Sequence, residues 1–268
     1  MKKLPFPKKS LGQNFLIDQN ITNKIIKIGN ISTDNTILEI GPGYGSLTKK
    51  IANMFPKKIF AIEKDKKLIS HLENSLNNFN NIEIINGDIL DIIKKKNFEK
   101  NIIVFGNLPY NISTQILAEF VLLRRWPPWY KILIFMFQKE VADRIIAKNN
   151  SKSFSRLSVL CNWRLEIKKH FNISKNCFYP KPKVNSTILS FQAKEKDVFP
   201  IKNPKNLEMI TRIFFSNRRK MINKNFVKLF KNNKSIANEL NLDLNLRPEQ
   251  LSCEMYYKIT AKYEKLFG

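Results

Sequence analysis

The chain has 268 residues, 43% hydrophobic and 11% aromatic, which suits one large core or a core with a small appendage and excludes a disordered chain. Forty-seven Lys and Arg against 22 Asp and Glu leave a net charge of +25, which favours a polyanionic partner; only nine of the basic residues are Arg, so drift towards Lys accounts for part of the excess. The longest uncharged stretch, 101–118, is interrupted by Asn107, Pro109, Asn111, Ser113 and Gln115 and does not read as a membrane span, and no apolar run of the secretory kind follows Lys2, Lys3, Lys8 and Lys9. Three cysteines and two histidines (His71, His170) show no metal-ligand spacing, and the odd thiol count argues against a disulfide framework, so a cytoplasmic, metal-free protein is expected.

In chain order, short apolar runs rich in Ile, Val or Phe predict strands at 36–40, 58–63, 82–86, 101–105 and 131–138. Helical spacing lies between them: Leu47, Ile51, Met54; then Leu68, Leu72, Leu76; then Ile116, Phe120, Leu123. Alternating strands and helices predict an α/β chain with a parallel, doubly wound sheet. A helix at 156–162 then precedes strand-like runs at 163–171 and 184–191, joined by the proline-bearing loop 179–182, a candidate antiparallel hairpin at one sheet edge. After a linker at 200–204, helices are predicted over 207–230, 232–240 and most of 249–267. The expected division is therefore 1–199 for the sheet domain with its basic N-terminal arm, and 200–268 for a small helical domain.

The first chemical constellation begins at Ile37-Leu38-Glu39-Ile40-Gly41-Pro42-Gly43-Tyr44-Gly45, where a strand runs into three glycines before a helix with Ser46 as candidate N-cap. Glycines there let the backbone turn tightly and approach a nucleotide. Glu63 ends the next strand, twenty positions past Gly43, suited to grip ribose hydroxyls; Asp88 follows the third and suits an adenine amine. The ordered series implies an adenosine-bearing cofactor. It leaves open a nicotinamide dinucleotide or S-adenosyl-L-methionine, although the loop lacks the last glycine of G-x-G-x-x-G.

The second constellation is Val104-Phe105-Gly106-Asn107-Leu108-Pro109-Tyr110-Asn111, at the carboxyl end of the fourth strand, where open sheets bind ligands. An exocyclic adenine amine is a poor nucleophile because its lone pair is delocalised. Two acceptors, the Asn107 side-chain oxygen and the carbonyl near Pro109, suit its two hydrogens and would direct the lone pair outward. Tyr110 offers a face for an extruded base.

Six segments together resemble the small-subunit ribosomal RNA adenine N6-dimethyltransferase family: Lys9-Ser10-Leu11-Gly12-Gln13-Asn14-Phe15-Leu16, the glycine loop, Asn107-Leu108-Pro109-Tyr110-Asn111-Ile112-Ser113, Phe137-Gln138-Lys139-Glu140-Val141, Phe178-Tyr179-Pro180-Lys181-Pro182-Lys183-Val184 and Phe215-Ser216-Asn217-Arg218-Arg219-Lys220. The resemblance spans nearly the whole chain. It implies a Rossmann-like S-adenosyl-L-methionine methyltransferase sheet plus a helical domain, acting on two adjacent adenosines near the 3′ end of 16S rRNA in an assembling small subunit. By position it implies Asn14, Leu16, Gly41, Gly43, Glu63, Asp88 and Asn107 at the cofactor, Asn107, Leu108, Pro109 and Tyr110 at the chemistry, and Phe178 on the target base opposite Tyr110. Lys181 and Asn185 depart from the family pattern in the loop before the last strand.

Charge in the helical region is uneven: 205–231 holds eight basic residues and one acidic, 232–268 five of each. Arg218, Arg219 and Lys220 are the expected RNA contacts, since paired Arg suits phosphate. Trp126 and Trp129 read as loop packing rather than a base platform. The rivals are a large-subunit adenine dimethylase, a non-catalytic RNA-binding assembly factor and a nicotinamide oxidoreductase; the last would need a placed acid or base that neither histidine supplies. A monomer is expected.

Overall fold

The structure is a computed structural model that describes residues 6–8, 12–95, 98–195 and 199–268. Lys2, Lys3, Lys9, Ser10 and Leu11 of the expected arm and first motif lie outside the described residues.

The chain runs β1 (Phe15–Leu16), α1 (Gln19–Gly29), β2 (Thr36–Ile40), α2 (Ser46–Ala52), β3 (Lys58–Glu63), α3 (Lys66–Ser75), β4 (Ile82–Asn86), α4 (Ile89–Lys95), β5 (Ile102–Gly106), α5 (Ser113–Val121), β6 (Tyr130–Gln138) and α6 (Lys139–Ile145). It continues through α7 (Arg156–Arg164), β7 (Leu165–Ile173), β8 (Phe178–Tyr179) and β9 (Ser186–Ala193). Seven strands form one sheet in the order β4-β3-β2-β5-β6-β9-β7, while β1 and β8 pair as a separate antiparallel ribbon. Every residue of β2 is buried, Glu39 included, because an inner parallel strand with helices over both faces has no solvent side on which to alternate.

Local signals explain the helix ends. The Asp18 carboxylate accepts from the Asn20 and Ile21 N–H groups at the start of α1, and Asp65 accepts from the Lys67 N–H at the start of α3. At α2 the expected cap is displaced: Gly45, in the left-handed region at φ 78°, takes the cap position and Ser46 is the first helical residue. The third glycine already makes the turn that a capping side chain would otherwise support.

Register then assembles the site. Ile40 faces Ile62 on one side and Gly106 on the other, and Glu63 faces Asn86. The parallel strands thus end level, and the residues that follow them share one rim. Because β3 and β5 flank β2 on opposite sides, that rim is the switch point where a doubly wound sheet leaves a crevice.

The two strands expected to form the edge hairpin are neighbours at the sheet edge, with β7 outermost. β9 lies between β6 and β7, antiparallel to β6 with Leu133 opposite Phe191, and the connection from β7 carries a short turn at Lys175–Cys177 and then β8. Trp129 packs on Phe98 and Phe120, with ring centroids 4.5 and 5.7 Å away, in agreement with a packing role.

A second compact unit gathers Val121–Pro127, Asp143–Leu165 and Lys194–Gly268. The division therefore does not fall at residue 199: α7, expected in the sheet domain, lies in the helical unit, where the Tyr257 hydroxyl donates to the Val159 carbonyl at 2.9 Å. The helix predicted over 207–230 is two helices, α8 (Pro204–Phe215) and α9 (Asn223–Leu229). It breaks because the N–H groups of Ile222 and Asn223 bond the Leu246 and Leu244 carbonyls instead of the preceding turn. The unit is completed by α10 (Ser235–Glu239) and α11 (Cys253–Phe267). No helix among the described residues is long and apolar enough to cross a membrane.

Candidate active site

A cavity of about 250 Å³ opens on the rim of the sheet unit, and Asn14, Gly41, Gly43, Glu63, Asp88, Asn107, Leu108, Pro109 and Tyr110 all line it. Leu16 and Phe178 do not. Leu16 borders a smaller neighbouring pocket. Phe178, expected opposite Tyr110, is 3% exposed and belongs to the core cluster with Ile25 and Ile188. Successive strand residues point to opposite faces, so in β8 it is Tyr179, 55% exposed, that faces outward.

The glycine loop is required sterically as well as conformationally. Gly43 has φ 59°, and a Cβ there would stand 2.6 Å from the Phe15 ring. Its N–H points at Glu63, reaching Oε2 at 3.3 Å, while Glu63 Oε1 accepts from the Lys64 and Asp65 N–H groups at 2.8 and 2.9 Å. Burial raises the Glu63 pKa, against the pull of those three N–H groups. For Asp88 the balance is reversed. Burial works to raise it, but the Lys64 ammonium at 2.8 Å from Oδ2 and the Leu90 N–H at 2.9 Å from Oδ1 outweigh that and hold it below the ordinary value.

Three supporting residues escaped the sequence reading. Lys64, beside Glu63, pairs with Asp88. Asp65 takes Lys8 Nζ at 2.8 Å and Gln13 Nε2 at 3.2 Å, which fastens the described part of the arm beside the cavity. Glu39, 2% exposed on β2, keeps Oε2 without a hydrogen-bond partner among the described residues. Burial first, and the Glu63 charge second, push its carboxyl up to about 7, with the Thr48 hydroxyl opposing. Lys64 and Asp65 were legible as charges but not as partners, because the pairing depends on how the strand ends line up.

At the other end of the cavity, Asn107 Nδ2 donates to the Asn14 carbonyl at 3.0 Å, which leaves Oδ1 as the end of the amide that accepts. The Tyr110 hydroxyl lies 2.7 Å from Ser186 Oγ, and its backbone carbonyl accepts from the Ser113 hydroxyl at 3.2 Å. Burial raises the Tyr110 pKa, opposed by Ser186. The arrangement offers carboxylates for a diol and a base at one end, and acceptors with an aromatic face at the other. Those residues fit an adenosine-bearing cofactor beside a second nucleobase.

In the helical unit, Arg218, Arg219 and Lys220 occupy the turn between α8 and α9 rather than a helix face. Arg218 is tethered: its Nε lies 3.7 Å from Glu249 Oε2, and its guanidinium donates to the Ser151 and Lys152 carbonyls. Arg219 and Lys220 are exposed.

Comparison with known proteins identifies the family. The family model for "Ribosomal RNA adenine dimethylase" matches residues 7–265. A curated relative from Pelagibacter ubique (strain HTCC1062), named "Ribosomal RNA small subunit methyltransferase A", is 48% identical over 261 residues, covering 97% of this chain and 98% of the relative. The crystal structure of a dimethyladenosine transferase from Plasmodium falciparum superposes with a TM-score of 0.77 at 27% identity, covering 94% of this chain and 98% of that one. That of the 23S rRNA methyltransferase ErmE gives 0.67 at 19% identity, covering 93% and 99%, and speaks to the fold alone.

Proposed function

The chain belongs to the ribosomal RNA adenine dimethylase family, and from that premise we propose that it dimethylates N6 of two adjacent adenosines near the 3′ end of 16S rRNA in an assembling small ribosomal subunit. It is an rRNA adenine dimethyltransferase that uses S-adenosyl-L-methionine. The observation that carries the site assignment is the convergence of Gly41, Gly43, Glu63, Asp88, Asn107 and Tyr110 on one cavity.

In this reading Glu63 holds the ribose hydroxyls, the glycine loop and Asn14 lie against the cofactor, and Asp88 takes the adenine amine, sharing its carboxylate with Lys64. Leu16 contributes from beneath through the smaller pocket. When bound, S-adenosyl-L-methionine supplies an electrophilic methyl group. Asn107 Oδ1 and the backbone carbonyl near Pro109 accept the hydrogens of the target amine, Leu108 packs behind them, and Tyr110 seats the base. Phe178 supports this end by packing below the ribbon rather than by stacking. No His, Lys or Cys stands in 107–110 to take a proton, so the rate rests on alignment and preorganised acceptors. Arg219 and Lys220, with Arg218 bracing their turn, take RNA phosphates. A cytoplasmic monomer working on the small subunit completes the proposal.

Mapping N6-methylated adenosines in ribosomal RNA from cells with and without the protein tests it. Loss of two adjacent dimethyladenosines from 16S rRNA is the expected result. Loss confined to 23S rRNA, or no change, overturns it.

A further inference from the structure

Tyr110 is held in a way that its ring alone does not require. The segment from Asn107 to Ile112 is irregular, and its ring is a lever reaching out of it. The far end of that lever, the hydroxyl, meets Ser186 Oγ at 2.7 Å. Ser186 is fully buried and opens β9, where it sits opposite Gln138 in the β6 ladder. The residue before it is fixed too: the Asn185 carbonyl accepts from the Lys139 N–H at 2.9 Å, and Asn185 Oδ1 accepts from the Lys175 N–H at 3.0 Å. One short stretch thus anchors the ring of a loop residue to the interior of the sheet.

We propose that Ser186 is a positioning residue that sets the orientation of the Tyr110 ring, and through it the seat of the adenine being methylated. The proposal rests on reading 107–110 as the methyl-acceptor end. A ring free to turn about its side-chain bonds still buries apolar surface, but it does not present one plane. A hydrogen bond at its tip to a strand residue fixes where the long axis of the ring points, and the preference of a phenol O–H for the plane of its ring then favours one plane; the reaction needs the amine aligned with the methyl group. Burial keeps the phenol in its neutral form, the form able to donate or accept in this pair. The sequence does not signal the pairing, since the two residues stand 76 positions apart.

A double-variant cycle tests it, with single-turnover methyl transfer to small subunits as one readout and calorimetric binding of S-adenosylhomocysteine as the other. Tyr110→Phe and Ser186→Ala should each slow transfer by about three- to tenfold, the effect of one neutral hydrogen bond at about 1.4 kcal/mol per decade. The double variant should be no slower than the worse single one, and cofactor affinity should be unchanged in all three. Rates at the wild-type level in both single variants, or losses that multiply in the double, overturn the inference. If Ser186→Ala does not fold, Tyr110→Phe decides alone, because it deletes only the hydroxyl. Tyr110→Ala separates the two levels: if it is slow while Tyr110→Phe is normal, the acceptor reading stands and Ser186 is dismissed. A normal Tyr110→Ala removes both.

Discussion

At one end of the cavity Glu63 and Asp88 bring carboxylates tied to backbone N–H groups and, for Asp88, to a lysine. At the other end Asn107, Pro109 and Tyr110 bring an amide, carbonyls and a ring whose phenol burial keeps neutral. The first end recognises by charge-assisted hydrogen bonds, so its variants should change affinity. The second presents shape and acceptors to an amine that becomes reactive only when held correctly, so its variants should change rate. One fold places the two side by side because its parallel strands end level.

The sharpest way to break this contrast is Asn107→Ala. Loss of a preorganised acceptor should cut single-turnover methyl transfer by about 10²-fold or more, comparable to losing one oxyanion-hole donor. The wild-type rate should stay nearly flat with pH across neutrality. A defined pKa near 7 in that profile that persists in Glu39→Gln would mean that a side chain moves a proton, and the division of labour would fail.

Glu63→Ala should act on affinity instead. Each charge-assisted ribose contact is worth ~1.5–3 kcal/mol, so S-adenosylhomocysteine should bind at least about tenfold more weakly by calorimetry, with a smaller change in the rate at saturation. Acid should have the same sense. Glu63, raised by burial, takes up a proton at higher pH than Asp88, which Lys64 and the Leu90 N–H hold down, so affinity should decline first through Glu63 as pH falls. Unchanged affinity in Glu63→Ala would sink the assignment.

The smallest effect belongs to the basic turn of the helical unit. Arg219→Ala/Lys220→Ala should weaken binding to the small subunit and reduce the slope of log affinity against log salt by roughly one for each phosphate no longer neutralised. Neither cofactor affinity nor the rate at saturating subunit should move. An unaltered salt slope would put the RNA footprint elsewhere.

Much of the sheet was legible because several strands are short, Ile-rich runs: 36–40, 58–63 and 82–86 were bounded correctly from composition. The cofactor end was legible for a related reason, since Gly43, Glu63 and Asp88 follow strands at positions a doubly wound topology makes meaningful. What stayed hidden depends on contacts distant in sequence. The break after α8 comes from backbone pairing with 244 and 246, which no helical spacing reports. The two-residue strands β1 and β8 are too short to show a period, so nothing in the sequence said that Phe178 turns inward and Tyr179 outward. Ser46 looked like a cap because Ser often is one, whereas the left-handed φ of Gly45 had already turned the chain.

The strand order also sets a timetable for the chain as it is synthesised. Gly41, Glu63 and Asp88 require only β2, β3 and β4, which are consecutive in sequence and pair in neighbouring register. The acceptor end waits much longer. β5 must insert beside β2, and Tyr110 finds the end of its tether only when β9 has emerged and paired with β6. Non-local pairings of this kind close late, because loop entropy must be overcome before any contact repays it. The pairings that place Gly41, Glu63 and Asp88 are therefore closer in sequence than those that place Tyr110, and loop entropy favours forming the carboxylate end of the cavity ahead of the acceptor end.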